Sequence, residues 1–200
     1  MNPRPEANRE ARSVSPGGDG VSIVKLGLFF YGTLFAAVLA WSIWSGRSVF
    51  YASQAAAEDG VAPLLDTALG LAVAAATIAL SRKITECTRW GDAMGRALAK
   101  LLGERSVRDC IALAIASGVA EEAFFRGVLQ PALGWLPASL IFGLVHFAPQ
   151  RDLLPWTGFA LCAGLVLGGL FEFTGNLVAP TVAHVGINAV NLRRLVVRYG

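Results

Sequence analysis

Residues 110–130 read CIALAIASGVAEEAFFRGVLQ, an apolar stretch long enough to cross a bilayer that carries Glu121, Glu122 and Arg126 in its interior. A charged residue at mid-membrane costs about 2.5–3.5 kcal/mol on insertion scales, so such groups pair with one another or face a polar cavity. In a helix, Glu122 and Arg126 are four residues apart and share a face, which predicts an ion pair. Glu121 is rotated by about 100° from Glu122 and falls off that face. It is therefore free to act on a water or a substrate. Membrane-embedded charges of this kind mark functional sites more often than helix packing.

The flanking sequence supplies the setting. Of 200 residues, 54% are hydrophobic and 16% are charged, against roughly a quarter charged in a soluble domain. The mean hydropathy is +0.55. These values exclude a disordered chain, a nucleic-acid-binding arm and a small disulfide scaffold. The three cysteines, Cys87, Cys110 and Cys162, form no CxxC pair or zinc-finger spacing. The fold class expected is all-α, a polytopic membrane helix bundle of about six transmembrane segments. Residues 1–20 are polar and rich in Pro and Gly and read as a disordered tail. Residues 21–109 hold two transmembrane helices and an amphipathic basic segment, and residues 110–197 a further helix bundle that carries the embedded charges.

The first apolar run, Ile23–Trp44, matches a hydrocarbon core of about 30 Å. A signal-peptide core is about 7–15 residues, so the run reads as a retained helix. The second run is Ala62–Leu80. The stretch Ser81–Asp109 carries seven basic residues, with Met94, Leu98, Leu101 and Leu102 at helical spacing. That pattern fits either an amphipathic helix on the membrane surface or a solvated linker helix. The remaining segments are Cys110–Leu129, Trp135–Pro149, Pro155–Phe173 and Leu177–Val197, joined by connectors 130–134, 150–154 and 174–176. The Trp135 segment is short for a span, which implies tilt, a kink or re-entry. Fifteen of the 17 basic residues fall at the N-terminus, in the loops after the second and fourth segments and at the C-terminus, all on one side of the membrane, which fits both termini in the cytoplasm. This distribution also accounts for the pI near 9.0 without any nucleic-acid partner. The pattern Gly164-Leu-Val-Leu-Gly168 marks a close helix contact, within the chain or between copies.

The chain has two histidines. His146 follows Phe142 by one turn, and His184 precedes Asn188 by one turn. Counting 1.5 Å per residue from the segment ends puts Glu121 and His146 about 16 Å deep and His184 about 10 Å deep. Two acids, an arginine, an asparagine and both histidines thus converge on one layer, as in a site built between helices of a bundle. A desolvated glutamate can serve as a general base. Imidazoles and an amide can orient water, bind a divalent metal or stabilise an oxyanion. Together they suit water attack on an amide. No HExxH, GxSG or GxGD motif is present, which argues against zincin, rhomboid-type and intramembrane aspartyl sites.

Three ordered motifs, Glu121-Glu122-Ala-Phe-Phe-Arg126, Phe142-Gly-Leu-Val-His146 and His184-Val-Gly-Ile-Asn188, resemble those of the CPBP intramembrane proteases, the CAAX-prenyl-protease and bacteriocin-processing (ABI) family. The resemblance covers residues 108–197. It implies an intramembrane endopeptidase acting on a membrane-associated peptide or protein, in the plasma membrane. Glu121 would activate water, His146 and His184 would be catalytic or direct a metal, and Asn188 would help form the oxyanion site. Glu122, Arg126 and Phe142 would support them. Glu121, His146 and His184 could also supply three ligands to a divalent metal such as zinc, or work without one. A non-proteolytic membrane binding protein on the same scaffold, of the immunity or chaperone kind, is the alternative.

Overall fold

The computed structural model describes residues 23–200, so the tail read over residues 1–20 lies outside the described residues. Among the described residues, nine α-helices follow in order. They are α1 (Ile23–Ser45), α2 (Gln54–Asp59), α3 (Pro63–Cys87), α4 (Arg89–Leu102), α5 (Val107–Phe124), α6 (Gln130–Leu133), α7 (Trp135–Val145), α8 (Leu154–Thr174) and α9 (Val178–Tyr199). A π turn, Phe125–Leu129, joins α5 to α6, and a 3-10 turn, Arg151–Leu153, precedes α8. Among the described residues the one β feature is an isolated bridge between Tyr51 and Asn176. The expected all-helical bundle is what the chain forms.

Helices α3 and α9 run parallel, with Gly70 against Ala179 and Val182, and Ser81 bonded to Asn191. Helices α5 and α9 run antiparallel, with Gly118 against Val185 and Asn188 against Ser117. The hairpin of α7 and α8 is fastened by Ser139 Oγ donating to Gly164 O and Trp135 Nε1 to Leu165 O. Gly164 and Gly168 therefore pack on α7 of the same chain: a Cβ on Gly168 would lie 2.5 Å from Trp135. Outward faces are apolar, as in Leu64, Trp44 and Phe29, which are 90%, 85% and 73% exposed. Such faces belong against lipid. The chain is an integral membrane protein.

Several expected boundaries move. Ser81–Cys87 continues α3 and is not a connector. Thr88 then ends α3 by donating its backbone N–H to Ile84 O and starts α4 by accepting from Gly91 N–H. Helix α4 is docked on the bundle. Met94 and Ala99 are buried, and Tyr199 of α9 donates to Asp92 at 2.8 Å, while Leu101 of the expected stripe faces outward at 54% exposure. The Tyr199 hydroxyl and Arg96 hold the Asp92 carboxyl below the usual range. Residues 130–133 are helical too, because Gln130 is buried and its amide donates to Gly168 O and to Glu172. The break comes at Gly134, whose φ of 92° suits glycine.

Among the described residues, three helical stretches are long and apolar enough to cross a membrane by length and composition: Ile23–Ser45, Pro63–Cys87 and Arg151–Thr174. Helices α5 and α9 have the length but carry the polar groups of the site and, in α9, three arginines. Helix α7 is only 11 residues, about 16 Å. It stops at His146, and the chain reaches α8 through the irregular residues 147–150 and the 3-10 turn Arg151–Leu153. Irregular backbone at membrane depth is stable where it lines a cavity or packs within protein.

Candidate active site

Helix α5 brings Ser117, Glu121 and Glu122 to the bundle interior, with Glu122 and Arg126 fully buried. The close approach of α5 to α9 depends on Gly118, where a Cβ would meet Val185 at 2.6 Å. Just past the acids the helix widens into the π turn, with the Phe125 N–H shared between the Glu121 and Glu122 carbonyls. Gly127 in this turn admits the backbone of Val49, whose oxygen would lie 2.3 Å from a Cβ. Single π turns are frequent at functional sites. No spacing in the sequence announces this one; Gly127 beside the charged residues is its only trace.

The polar groups form one connected set. Arg126 Nε donates to Glu122 Oε2 at 3.0 Å, the i,i+4 pair expected. The other oxygen, Glu122 Oε1, lies 2.7 Å from His184 Nδ1 on α9. His184 is thereby oriented with Nε2 turned toward Glu121, 4.0 Å from its Oε2. His146 sits at the C-terminal cap of α7, and its Nδ1 is held at 2.7 Å by the carbonyl of Phe142. An N–H must lie between Nδ1 and that carbonyl, which leaves Nε2 as the basic nitrogen when the ring is neutral. That Nε2 is 3.8 Å from Glu121 Oε2. Glu121 Oε2 is itself buried and has no hydrogen-bond partner in the protein. A buried carboxylate oxygen left open in this way has its acceptor capacity directed at whatever enters the site.

Glu121, His146, His184 and Asn188 line one cavity of about 250 Å³, together with Ser117 and Tyr31. Asn188 Nδ2 donates to Ser117 Oγ at 3.0 Å, so one amide hydrogen is used and the second is free. His184 and Asn188 share a face of α9 but bond different residues of α5. Phe142 is packed between the parts: its ring centroid is 4.7 Å from that of His146 and 6.0 Å from that of His184, with Arg126 Cζ 5.1 Å above it. This contact faces the guanidinium, whose two Nη atoms lack protein acceptors, with an aromatic surface.

Two contributors were not read from the sequence. Ser117 belongs to none of the three motifs, yet its hydroxyl accepts from Asn188 and orients that amide. Tyr31 comes from α1 and lines the cavity beside Glu121. The one available hint was a hydroxyl in an otherwise apolar span.

The expected zinc ligands can be tested against this geometry. Ligands sharing a tetrahedral zinc with bonds near 2.1 Å lie about 3.4 Å apart. Glu121 Oε2 stands 3.8 and 4.0 Å from the two Nε2 atoms, and among the described residues no set of His, Cys, Asp and Glu is assembled for a metal. The set as it stands does not fit zinc. A water, which donates two hydrogen bonds and accepts two, fits a space ringed by a carboxylate and two imidazole nitrogens.

The family described as type II CAAX prenyl endopeptidase, Rce1-like, matches residues 104–190. The uncharacterized protein YpbD of Bacillus subtilis (strain 168) is 42% identical over 93 residues, 46% of this chain. The chain spans about half the length of that relative, 48% of it. No solved structure matches. The matched stretch contains Glu121, Glu122, Arg126, Phe142, His146, His184 and Asn188, so the similarity to the Rce1-like CAAX endopeptidases takes in all three motifs.

Proposed function

We propose that the protein is an intramembrane endopeptidase that hydrolyses a peptide bond of a membrane-associated, CAAX-like substrate. The observation that carries this reading is the unpartnered Glu121 carboxylate oxygen, buried in a cavity and faced by the Nε2 atoms of both histidines. Glu121 takes a proton from a water held between these groups, and the hydroxide forms a C–O bond to the scissile carbonyl. The free amide hydrogen of Asn188 stabilises the resulting oxyanion, with Ser117 fixing the amide's direction. As the C–N bond breaks, the proton passes to the departing amine by way of Glu121 or His146. Glu122 and Arg126 keep His184 aimed at the water and need not touch substrate. Tyr31 of α1, in the same cavity lining, helps orient the Glu121 carboxylate. No step runs through a metal. In this reading both termini are cytoplasmic and the protein resides in the plasma membrane.

The test is cleavage of a membrane-anchored peptide by purified protein, compared with Glu121→Gln. The substitution preserves volume and removes the proton acceptor. A folded variant with at least about a 100-fold loss is expected, the lower end for a lost general base. His146→Ala should lose a similar factor. Near-normal cleavage by Glu121→Gln would transfer the base role to Glu122. Intact immunity or chaperone function in both variants would support the non-proteolytic alternative.

A further inference from the structure

A second concavity of about 420 Å³ lies between α3, α4, α8 and α9. Its wall is almost wholly apolar, built from Leu80, Trp90, Met94, Leu98, Cys162 and Leu195. It lies outside the site described above, although Trp156 and Phe159, stacked with centroids 5.9 Å apart, line both. The volume falls in the range of small-molecule sites, about 300–1,000 Å³. Docking α4 back onto the ends of α3 and α9 is what creates it.

The rim is as distinctive as the wall. Arg194 and Arg198 border the groove, within a cluster of four guanidiniums that share two carboxylates. Glu86 receives Arg82 at 2.9 Å, Arg194 at 3.4 Å and Arg198 at 3.6 Å. Asp92 receives Arg96 as well as Arg198 at 3.8 Å. The cluster thus carries two positive charges beyond its own carboxylates. Trp90, half exposed on α4, adds an aromatic of the kind that seats at a membrane–water interface.

An apolar slot beneath a cationic rim, at the end of a membrane bundle, matches a molecule with a hydrocarbon tail and an anionic head. We infer that the groove between α3, α4, α8 and α9 binds an anionic phospholipid, one acyl chain against Leu98 and Leu195 and its phosphate on Arg194 and Arg198. The charge surplus selects the head, and basic residues near a membrane surface favour acidic lipids. The inference does not depend on the hydrolytic reading, and its failure would leave that reading unchanged.

Cys162 lines the groove and is exposed, whereas Cys110 is buried, so a Cys87→Ser protein has one reporter thiol. The delipidated full chain in neutral detergent is titrated with phosphatidylglycerol or with phosphatidylcholine of the same acyl composition, and the maleimide reaction of Cys162 is timed. Phosphatidylglycerol should protect at about tenfold lower concentration. An Arg194→Gln, Arg198→Gln variant should lose the preference while keeping the protection common to both lipids. Should that variant fail to fold, the comparison of the two lipids on the Cys87→Ser protein still decides. Equal protection by the two lipids, or none by either, overturns the inference. So does protection by a neutral isoprenoid alcohol as strong as that by phosphatidylglycerol, which would make the groove a site for a substrate's lipid tail.

Discussion

Replacing Arg126 by Ala removes the guanidinium bonded to a carboxylate that has no access to solvent. Arg126 and Glu122 are both 0% exposed and joined at 3.0 Å, and the second oxygen of Glu122 is occupied by His184 at 2.7 Å. Taking away one member of a buried pair leaves the other uncompensated, which costs about 3–5 kcal/mol. For a chain of this size, each kcal/mol moves the midpoint by about 2–4 °C, so Arg126→Ala should lower Tm by about 6–20 °C. The double variant Glu122→Gln, Arg126→Met removes both charges and should regain most of this loss, since replacing a whole buried pair is close to neutral. The introduced amide keeps a side-chain oxygen that can accept from His184 Nδ1, so the double variant should also retain more activity than the single. Thermal unfolding of the purified proteins in one detergent gives the answer. An Arg126→Ala protein that melts like the parent would refute the buried pair as a structural element. A double variant no better than the single would show that the arginine acts through something other than Glu122.

Tyr31→Phe removes the hydroxyl that α1 places in the cavity with Glu121, where it can donate to the carboxylate. A hydrogen bond to a charged group is worth about 1.5–3 kcal/mol, so hydrolysis should fall by about tenfold or more with Tm little changed; unaltered turnover would exclude Tyr31 from positioning the base. Reporter fusions after Gly60 and after Gly103 should report opposite sides of the membrane, because α3 alone crosses between those points; the same side for both would overturn the alternating arrangement. Dialysis against a strong chelator should leave activity intact, given donor separations of 3.8 and 4.0 Å, and recovery only on zinc addition would require the three donors to close on a metal.

The parts of the site that were legible in the sequence are those set by helical geometry over short range. Four-residue spacing put Glu122 beside Arg126, and apolar length bounded α1, α8 and α9 to within a residue or two. Charge within an apolar span singled out α5. What escaped reading depends on tertiary partners. Ser81–Cys87 looks like a connector because it is polar, yet the packing of α3 on α9 and the Ser81–Asn191 bond keep it helical. Gln130 looks like a loop residue ahead of a proline, but Pro131 stands at the first turn of α6, where its missing N–H is tolerated, and Gln130 finds acceptors on α8. Tyr31 lies ninety residues before Glu121, and nothing local to either residue links them. The groove arises from four helices at once and has no linear signature.

The π turn at Phe125–Leu129 sets the relative phase of two helical faces. A π turn accommodates one residue more than the α-helical path it replaces, and one residue is worth about 100° of rotation. Upstream of it, Glu121 and Glu122 are aimed at α9 and the cavity; downstream, Gln130 is aimed at Gly168 and Glu172 on α8. A strictly α-helical path could not hold both aims with these residues at these positions. Forcing all five residues of Phe125–Leu129 into a regular α-helix would swing Gln130 off α8, whereas deleting one of them would restore the regular repeat with both aims kept. The extra residue thus works as a vernier, letting the charged end of the helix and its anchoring end be adjusted separately.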